Sequence, residues 1–182
     1  MKANQVSEID GVRVIRIKSI LDARGSFLKF YPPADFQGSL DSVALSFNPH
    51  LGTIRGLHFQ VEPFAEEKLV ACIQGSIFDV IVDLRPDSRT FGRWASVELS
   101  AANALQVYLP KGIAHGFQTL MPDSIIHYSL SSSYSLESSY SIEPFGDIGI
   151  DWPLKELIVS ERDLGGVSLP FAAQKYADSL KG

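Results

Sequence analysis

The chain has 182 residues, 45% hydrophobic and 20% charged, with a formal net charge of -5; residues 1–182 are read as a single domain long enough for a substantial core. The acidic balance, with no basic run, argues against a nucleic-acid surface. The best apolar stretch, IFDVIVDL, is too short to span a membrane and carries Asp79 and Asp83.

The N-terminus, MKANQVSEIDG, lacks the apolar run of a secretory leader, so a cytoplasmic protein is expected. Residues 12–18 (VRVIRIK) mostly alternate apolar with basic and predict a half-buried strand. Asp22-Ala23-Arg24-Gly25 reads as a turn, and residues 27–31 as a short strand ended by Pro32-Pro33. Residues 42–48 alternate Val43, Leu45 and Phe47, a third strand. A turn at 49–52 leads into GTIRGLHFQ, residues 52–60, the stretch around which the chain is organised. Strand geometry puts Gly56, His58 and Gln60 on one face; Arg55 lies on the other, or at the bent start of the strand. After a loop at 63–67, residues 68–74 and 76–84 read as strands flanking Gly75, a hairpin or a bulge. Further strands are predicted at 94–99, 105–109, 114–120 and 124–130, with turns at 85–88 and 110–112. The serine-rich stretch 129–141 is either a flexible loop or a strand or lid over a pocket; Tyr128, Tyr134 and Tyr140, spaced by six, favour a lid at least as much. Residues 170–180 predict a short helix with Ser168 as its cap.

Short strands punctuated by Gly and Pro, with no long helical period, indicate an all-β sandwich or barrel. The one cysteine, Cys72, cannot form an internal disulfide and sits in the apolar run LVACI, as a small core residue would.

Chemistry can reside at four histidines, His50, His58, His115 and His127. His58 reads either as a base beside a glycine on an open strand face or as a core histidine bonded to a carbonyl. His115 follows Pro110-Lys111-Gly112 in a P-x-G-x-x-H spacing similar to the second motif of cupin barrels. The H-x-H element of metal-binding cupins is broken by Gln60, which leaves two histidines and at most Glu66 or Glu67 for a metal. The other reading is a metal-free site in which His58 is a Brønsted base oriented by a buried carboxylate.

Eight elements in order, D-x-R-G (22–25), RGLHFQ (55–60), KLV (68–70), FDVIVDLR (78–85), S-x-TFG-x-W (88–94), P-x-G-x-AHGF (110–117), IDWP (150–153) and S-x-x-D (160–163), resemble the dTDP-4-dehydrorhamnose 3,5-epimerase family. The resemblance implies an all-β fold, a cupin-like double-stranded β-helix (jelly-roll barrel) with few short helices, and a homodimer. It implies an isomerase of dTDP-rhamnose biosynthesis that inverts C3, C5 or both in a nucleotide-linked 4-keto-6-deoxyhexose, without metal or cofactor. By the same resemblance His58 is the base, Asp163 its orienter, Lys68 the cation at the C4 carbonyl and Tyr128 the acid on the opposite face. Arg24, Lys29, Ser46, Arg55, Gln60, His115, Tyr134 and Arg162 fall at positions of the substrate-binding rim. These residue types suit the reaction. Inversion beside a ketone removes a proton and returns one from the other face, and a cation stabilises the enolate oxygen between the two steps.

The chain departs from the family pattern at the rim. Lys29 stands where many members carry glutamate, Leu45-Ser46-Phe47-Asn48 replaces a frequent Asn-x-Ser, and Ser139, with Glu137 nearby, replaces a glutamate. The alternatives are a single-site 3- or 5-epimerase, a 3,4-ketoisomerase on another nucleotide sugar, and a non-catalytic sugar-nucleotide binding cupin.

Overall fold

The computed structural model of the chain describes residues 6–34, 36 and 38–182; the first five residues, on which the reading of the N-terminus partly rests, lie outside them. In chain order the strands are β1 Arg13–Arg16, β2 Lys18–Asp22, β3 Gly25–Lys29, β4 Ser42–Asn48, β5 Ile54–Gln60, β6 Lys68–Gln74, β7 Ser76–Asp83, β8 Trp94–Ser100, β9 Leu105–Leu109, β10 Ile113–Thr119, β11 Ser124–Leu130 and β12 Ser139–Ser141. Two helices follow, α1 Glu161–Leu164 and α2 Leu169–Ser179. No helix among the described residues is long and apolar enough to cross a membrane.

Ten strands form two five-stranded antiparallel sheets, β1-β9-β6-β11-β4 and β12-β5-β10-β7-β8. Alternation along the strands decides what each face meets. Val70, Cys72, Val107 and Ile126 of the first sheet pack with Ile77, Ile81, Leu99, Ile113 and Phe117 of the second in one apolar core. The opposite face of the second sheet, with Leu57, Phe59, Val80 and Val82, is covered by the C-terminal segment through Ile142, Ala172 and Tyr176. The two sheets enclose a β-barrel of the predicted class.

Several predicted elements have different neighbours from those expected. The first predicted strand divides at Ile17, a buried residue whose amide donates to the Ala104 carbonyl. Beyond it β2 pairs only with β3, as a separate two-stranded sheet around the predicted turn. Gly75 is neither hairpin nor bulge, because β6 and β7 lie in different sheets. Its φ of +77° turns the chain from one sheet to the other, and a Cβ there would meet Ser124 Oγ at 2.3 Å. Ser168 caps α2 by position, with no side-chain hydrogen bond, and Pro170 occupies its first turn.

The central strand β5 carries the feature that shapes the cavity. Opposite β10, His58 pairs with His115 but Arg55 pairs with Phe117, three residues on one strand against two on the other. The extra residue is a bulge at Gly56, which reverses the alternation and brings Arg55 round to the face that carries His58. Gly56 has φ +116°, and a Cβ would lie 2.6 Å from Gly116 Cα and 2.7 Å from the His115 carbonyl oxygen. Both obstacles are backbone. Gly56→Ala is therefore expected to cost about 2–4 kcal/mol, a fall in Tm of roughly 5–15 °C by calorimetry. A fall of under a degree would show that the strands do not need this approach.

Candidate active site

Away from the apolar core, between the open edges β4–β11 and β12–β5, the sheets leave a cavity of about 290 Å³. The first sheet contributes Ser46, Lys68 and Tyr128, and the second Arg55, His58, Gln60 and His115. Tyr134, Ser139 and Arg162 stand at its mouth. The structure thus brings together nine of the twelve residues singled out in the sequence, and it places a tenth, Asp163, directly behind His58.

Asp163 is positioned by a single turn of helix. Ser160 caps α1 by accepting the Asp163 amide at 3.2 Å, so the S-x-x-D element is a helix start. The carboxylate is 3% exposed and receives three donors. Oδ1 lies 2.7 Å from His58 Nε2 and accepts Ser141 Oγ at 2.9 Å, while Oδ2 accepts the Gly56 amide at 3.2 Å. Burial alone would raise its pKa; the bonds from His58, Gly56 and Ser141 overcome that and lower it to about 2. An ionised carboxylate only accepts, so Nε2 of His58 carries a proton. Nδ1 has no hydrogen-bond partner among the described residues.

Lys68 Nζ is buried at 8% side-chain exposure. It donates to the His58 carbonyl at 3.2 Å and pairs with Glu66 Oε1 at 3.2 Å. Tyr128 presents its hydroxyl without a hydrogen-bond partner among the described residues, its ring edge-on to His115 at 5.9 Å. Burial, reinforced by the Asp79 charge, pushes the phenol well above its ordinary range, so it is protonated at neutral pH. His115 Nε2 is 2.6 Å from Asp79 Oδ1, and both side chains are buried.

The rim residues have more varied surroundings. Arg55 Nε donates to Asn48 Oδ1 at 2.8 Å, and Ser46 Oγ reaches the same oxygen at 3.3 Å. Gln60 lines the cavity, but its amide binds backbone: Nε2 donates to the carbonyls of Phe64 and Ser133, and Oε1 accepts the Ser135 amide. It ties the serine-rich segment to β5. Arg162 reaches Tyr134 Oη at 3.4 Å and Ser139 Oγ at 3.0 Å. Arg24 and Lys29 stand apart on the β2–β3 hairpin and do not line the cavity. Arg24 pairs with Asp22 at 2.6 Å, and Lys29 lies over the Phe27 ring. Sequence reasoning missed Asp79 as the partner of His115, Ser141 as a donor to Asp163 and Glu66 as the partner of Lys68. Inward alternation along FDVIVD was the one available signal for Asp79. Among the described residues no three His, Cys, Asp or Glu side chains cluster as a metal would need.

The chain is matched over residues 6–170 by the family model of dTDP-4-dehydrorhamnose 3,5-epimerase. It is 41% identical over 174 residues to the dTDP-4-dehydrorhamnose 3,5-epimerase of Sinorhizobium fredii, covering 91% of this chain and 88% of that protein. The crystal structure of the Legionella pneumophila dTDP-6-deoxy-D-glucose-3,5-epimerase in complex with dTDP-4-keto-L-rhamnose superposes with a TM-score of 0.84. It is 33% identical, over 91% of this chain and 92% of that one. The rmlC epimerase of Mycobacterium tuberculosis gives a TM-score of 0.86 at 32% identity, covering 100% and 97%.

The state of Asp163 can be checked through pH. Its pKa falls from 3.8 to about 2 on folding, so its contribution is present above about pH 4 and disappears as pH falls through about 2. The contribution is about 2 kcal/mol. In urea unfolding, the stability gap between wild type and Asp163→Asn is expected to narrow by that amount from pH 5 to pH 2. A constant gap would mean that the carboxylate is not held ionised.

Proposed function

The chain belongs to the dTDP-4-dehydrorhamnose 3,5-epimerase family, and on that premise we propose how its cavity carries out the family's reaction. The enzyme is an isomerase acting on a dTDP-linked 4-keto-6-deoxyhexose. His58 Nδ1 takes the proton from a carbon beside the ketone. The C–H electron pair moves into a C=C bond and the carbonyl pair moves onto the C4 oxygen. Lys68 stabilises the charge collecting there. Tyr128 then gives its proton to the same carbon from the other side, the enolate collapses to the ketone, and solvent restores both groups. Repetition at the second flanking carbon completes a 3,5-epimerisation. Asp163 stabilises the imidazolium formed at each step.

The observation that carries this reading is the placement of His58 and Tyr128 on opposite sheets. The carboxylate-held imidazole comes from the second sheet, the protonated phenol, unpartnered among the described residues, from the first, and the lysine ammonium beside them. A site for binding alone would need neither a polarised base nor a proton donor across from it. In deuterated water with dTDP-4-keto-6-deoxyglucose, NMR should show label entering C3 and C5 with wild-type enzyme. His58→Ala should slow exchange at both carbons at least ~100-fold. Tyr128→Phe should permit exchange but suppress inversion. Near-normal turnover by His58→Ala would sink the assignment.

The enzyme is also proposed to be a homodimer and a single domain over 1–182. Edge strand β4 presents Val43 and Phe47, each 63% exposed, and Leu45 on one outward face, and the hairpin adds exposed Ile20, Leu21 and Phe27. An unpaired apolar edge of this kind is a template for a second copy. Sedimentation at micromolar concentration should give twice the 20.0 kDa chain mass, and Val43→Glu with Phe47→Glu should shift it towards monomer. A wild-type monomer at that concentration would refute the dimer.

A further inference from the structure

Glu66 pairs with Lys68 but has no part in the reaction proposed above. It sits in the loop before β6, two positions from Lys68, and lines the same cavity. Its neighbour Glu67 turns away, accepting the Tyr108 hydroxyl and the Gly38 amide. The Glu66 side chain is 10% exposed. One carboxylate oxygen pairs with Lys68 Nζ at 3.2 Å; the other has no partner among the described residues. It is also the one carboxylate among the described residues that line the cavity. Facing the cavity without a protein donor among the described residues, that oxygen is open to accept from a group brought in beside Lys68.

We propose that Glu66 is a specificity-determining residue that accepts a hydrogen bond from the hydroxyl on C3 of the sugar. The proposal rests on the reading of Lys68 as the group at the C4 oxygen. The diphosphate cannot occupy this corner, because a second anion there would be repelled. The neutral sugar can. With C4=O on Lys68, the groups within reach of the adjoining carboxylate are those on the two carbons flanking the ketone. In a 4-keto-6-deoxyhexose these differ: C3 bears a hydroxyl and C5 a methyl. Only the hydroxyl can donate. Glu66 therefore distinguishes the two sides of the ketone and fixes which way round the ring lies against His58, a choice that neither the base nor the lysine makes. A bond from a neutral hydroxyl to an ionised acceptor in a buried site is strong enough to decide a pose.

The test compares dTDP-4-keto-6-deoxyglucose with its 3-deoxy analogue and reads deuterium entry at C5, which is the same in both. Wild type should lose roughly 10–100-fold in kcat/KM on the 3-deoxy substrate, the effect of leaving a buried charged acceptor unpaired. In Glu66→Ala the two substrates should be handled within about threefold of each other, and the C3 to C5 labelling ratio on the hydroxyl substrate should shift. Glu66→Gln, which keeps an acceptor oxygen without the charge, should fall between. A Glu66→Ala enzyme that still discriminates between the substrates as wild type does would overturn the proposal. So would an equal loss on both substrates, which would make Glu66 only a support for Lys68. Lys68→Ala separates the premise: exchange should vanish with both substrates, and if it persists the reading of Lys68 fails, whatever the Glu66 variants do.

Discussion

Three hydrogen bonds converge on the Asp163 carboxylate, and they join parts of the chain that are otherwise far apart. His58 comes from the middle of β5, Gly56 from the bulge that bends it, and Ser141 from the end of β12. The carboxylate itself stands on a four-residue helix with no buried residue but Asp163. So short a helix has little stability of its own. It is held by its Ser160 cap, by the bonds at Asp163 and by the parallel bridges of Ile158 with Thr53 and Val167 with Ile142 on either side. The same contacts that hold the C-terminal segment on the sheet therefore set the orientation of His58.

The barrel divides its interior by position along the sheets. Towards β1, β9 and β8 the inward residues are Val, Ile and Leu, and they close on each other. Towards β4 and β12 the inward residues are polar or aromatic and cannot close, so space remains. Individual strands cross this divide. β10 gives Ile113 and Phe117 to the core and His115 to the cavity; β6 gives Val70 and Cys72 to the core and Lys68 to the cavity. Packing on one part of a strand thus fixes the side chains on the other, and functional groups carried on such strands are held more firmly than on a loop.

The strands were legible because short apolar-rich runs stand between Gly, Pro and polar turns: β4, β6, β9 and β11 run over the predicted residues. What alternation cannot report is the partner strand. Gly75 lies between two good strands, and nothing local says that they belong to different sheets. The bulge at Gly56 is harder still. It reverses the face of Arg55 through one unpaired residue, a matter of pairing with β10 sixty positions away. The placing of Arg55 at the bent start of β5 agrees with the structure; the opposite face does not. Ile17 continues the apolar and basic run of residues 12–18, yet the chain leaves the sheet there, its amide bonded to the Ala104 carbonyl. For the site, motif spacing identified residues that meet in space, while the pairings of Asp79 with His115, Ser141 with Asp163 and Glu66 with Lys68 are contacts between distant or adjoining residues that no spacing reports. The hairpin residues Arg24 and Lys29 belong to motifs but not to the cavity of their own chain.

Two histidine–aspartate pairs sit side by side in the second sheet, across from each other in register at His58 and His115, and the physics separates them. Both have an Nε2–Oδ1 contact, 2.7 Å and 2.6 Å. Asp163 collects two further donors and is held well below the usual carboxylate range. Asp79 is wholly buried, and its Oδ2 has no partner among the described residues; burial, only partly opposed by His115 and Lys68, pushes its carboxyl upward. A carboxylate kept ionised stabilises positive charge on the ring it touches, and one driven towards its neutral form does so less. The ring better placed to carry a positive charge is therefore that of His58, in keeping with its proposed role as the base. His115, nearly buried and edge-on to Tyr128, can instead fix that ring in place. The donors around each aspartate, more than the histidines themselves, separate the two pairs.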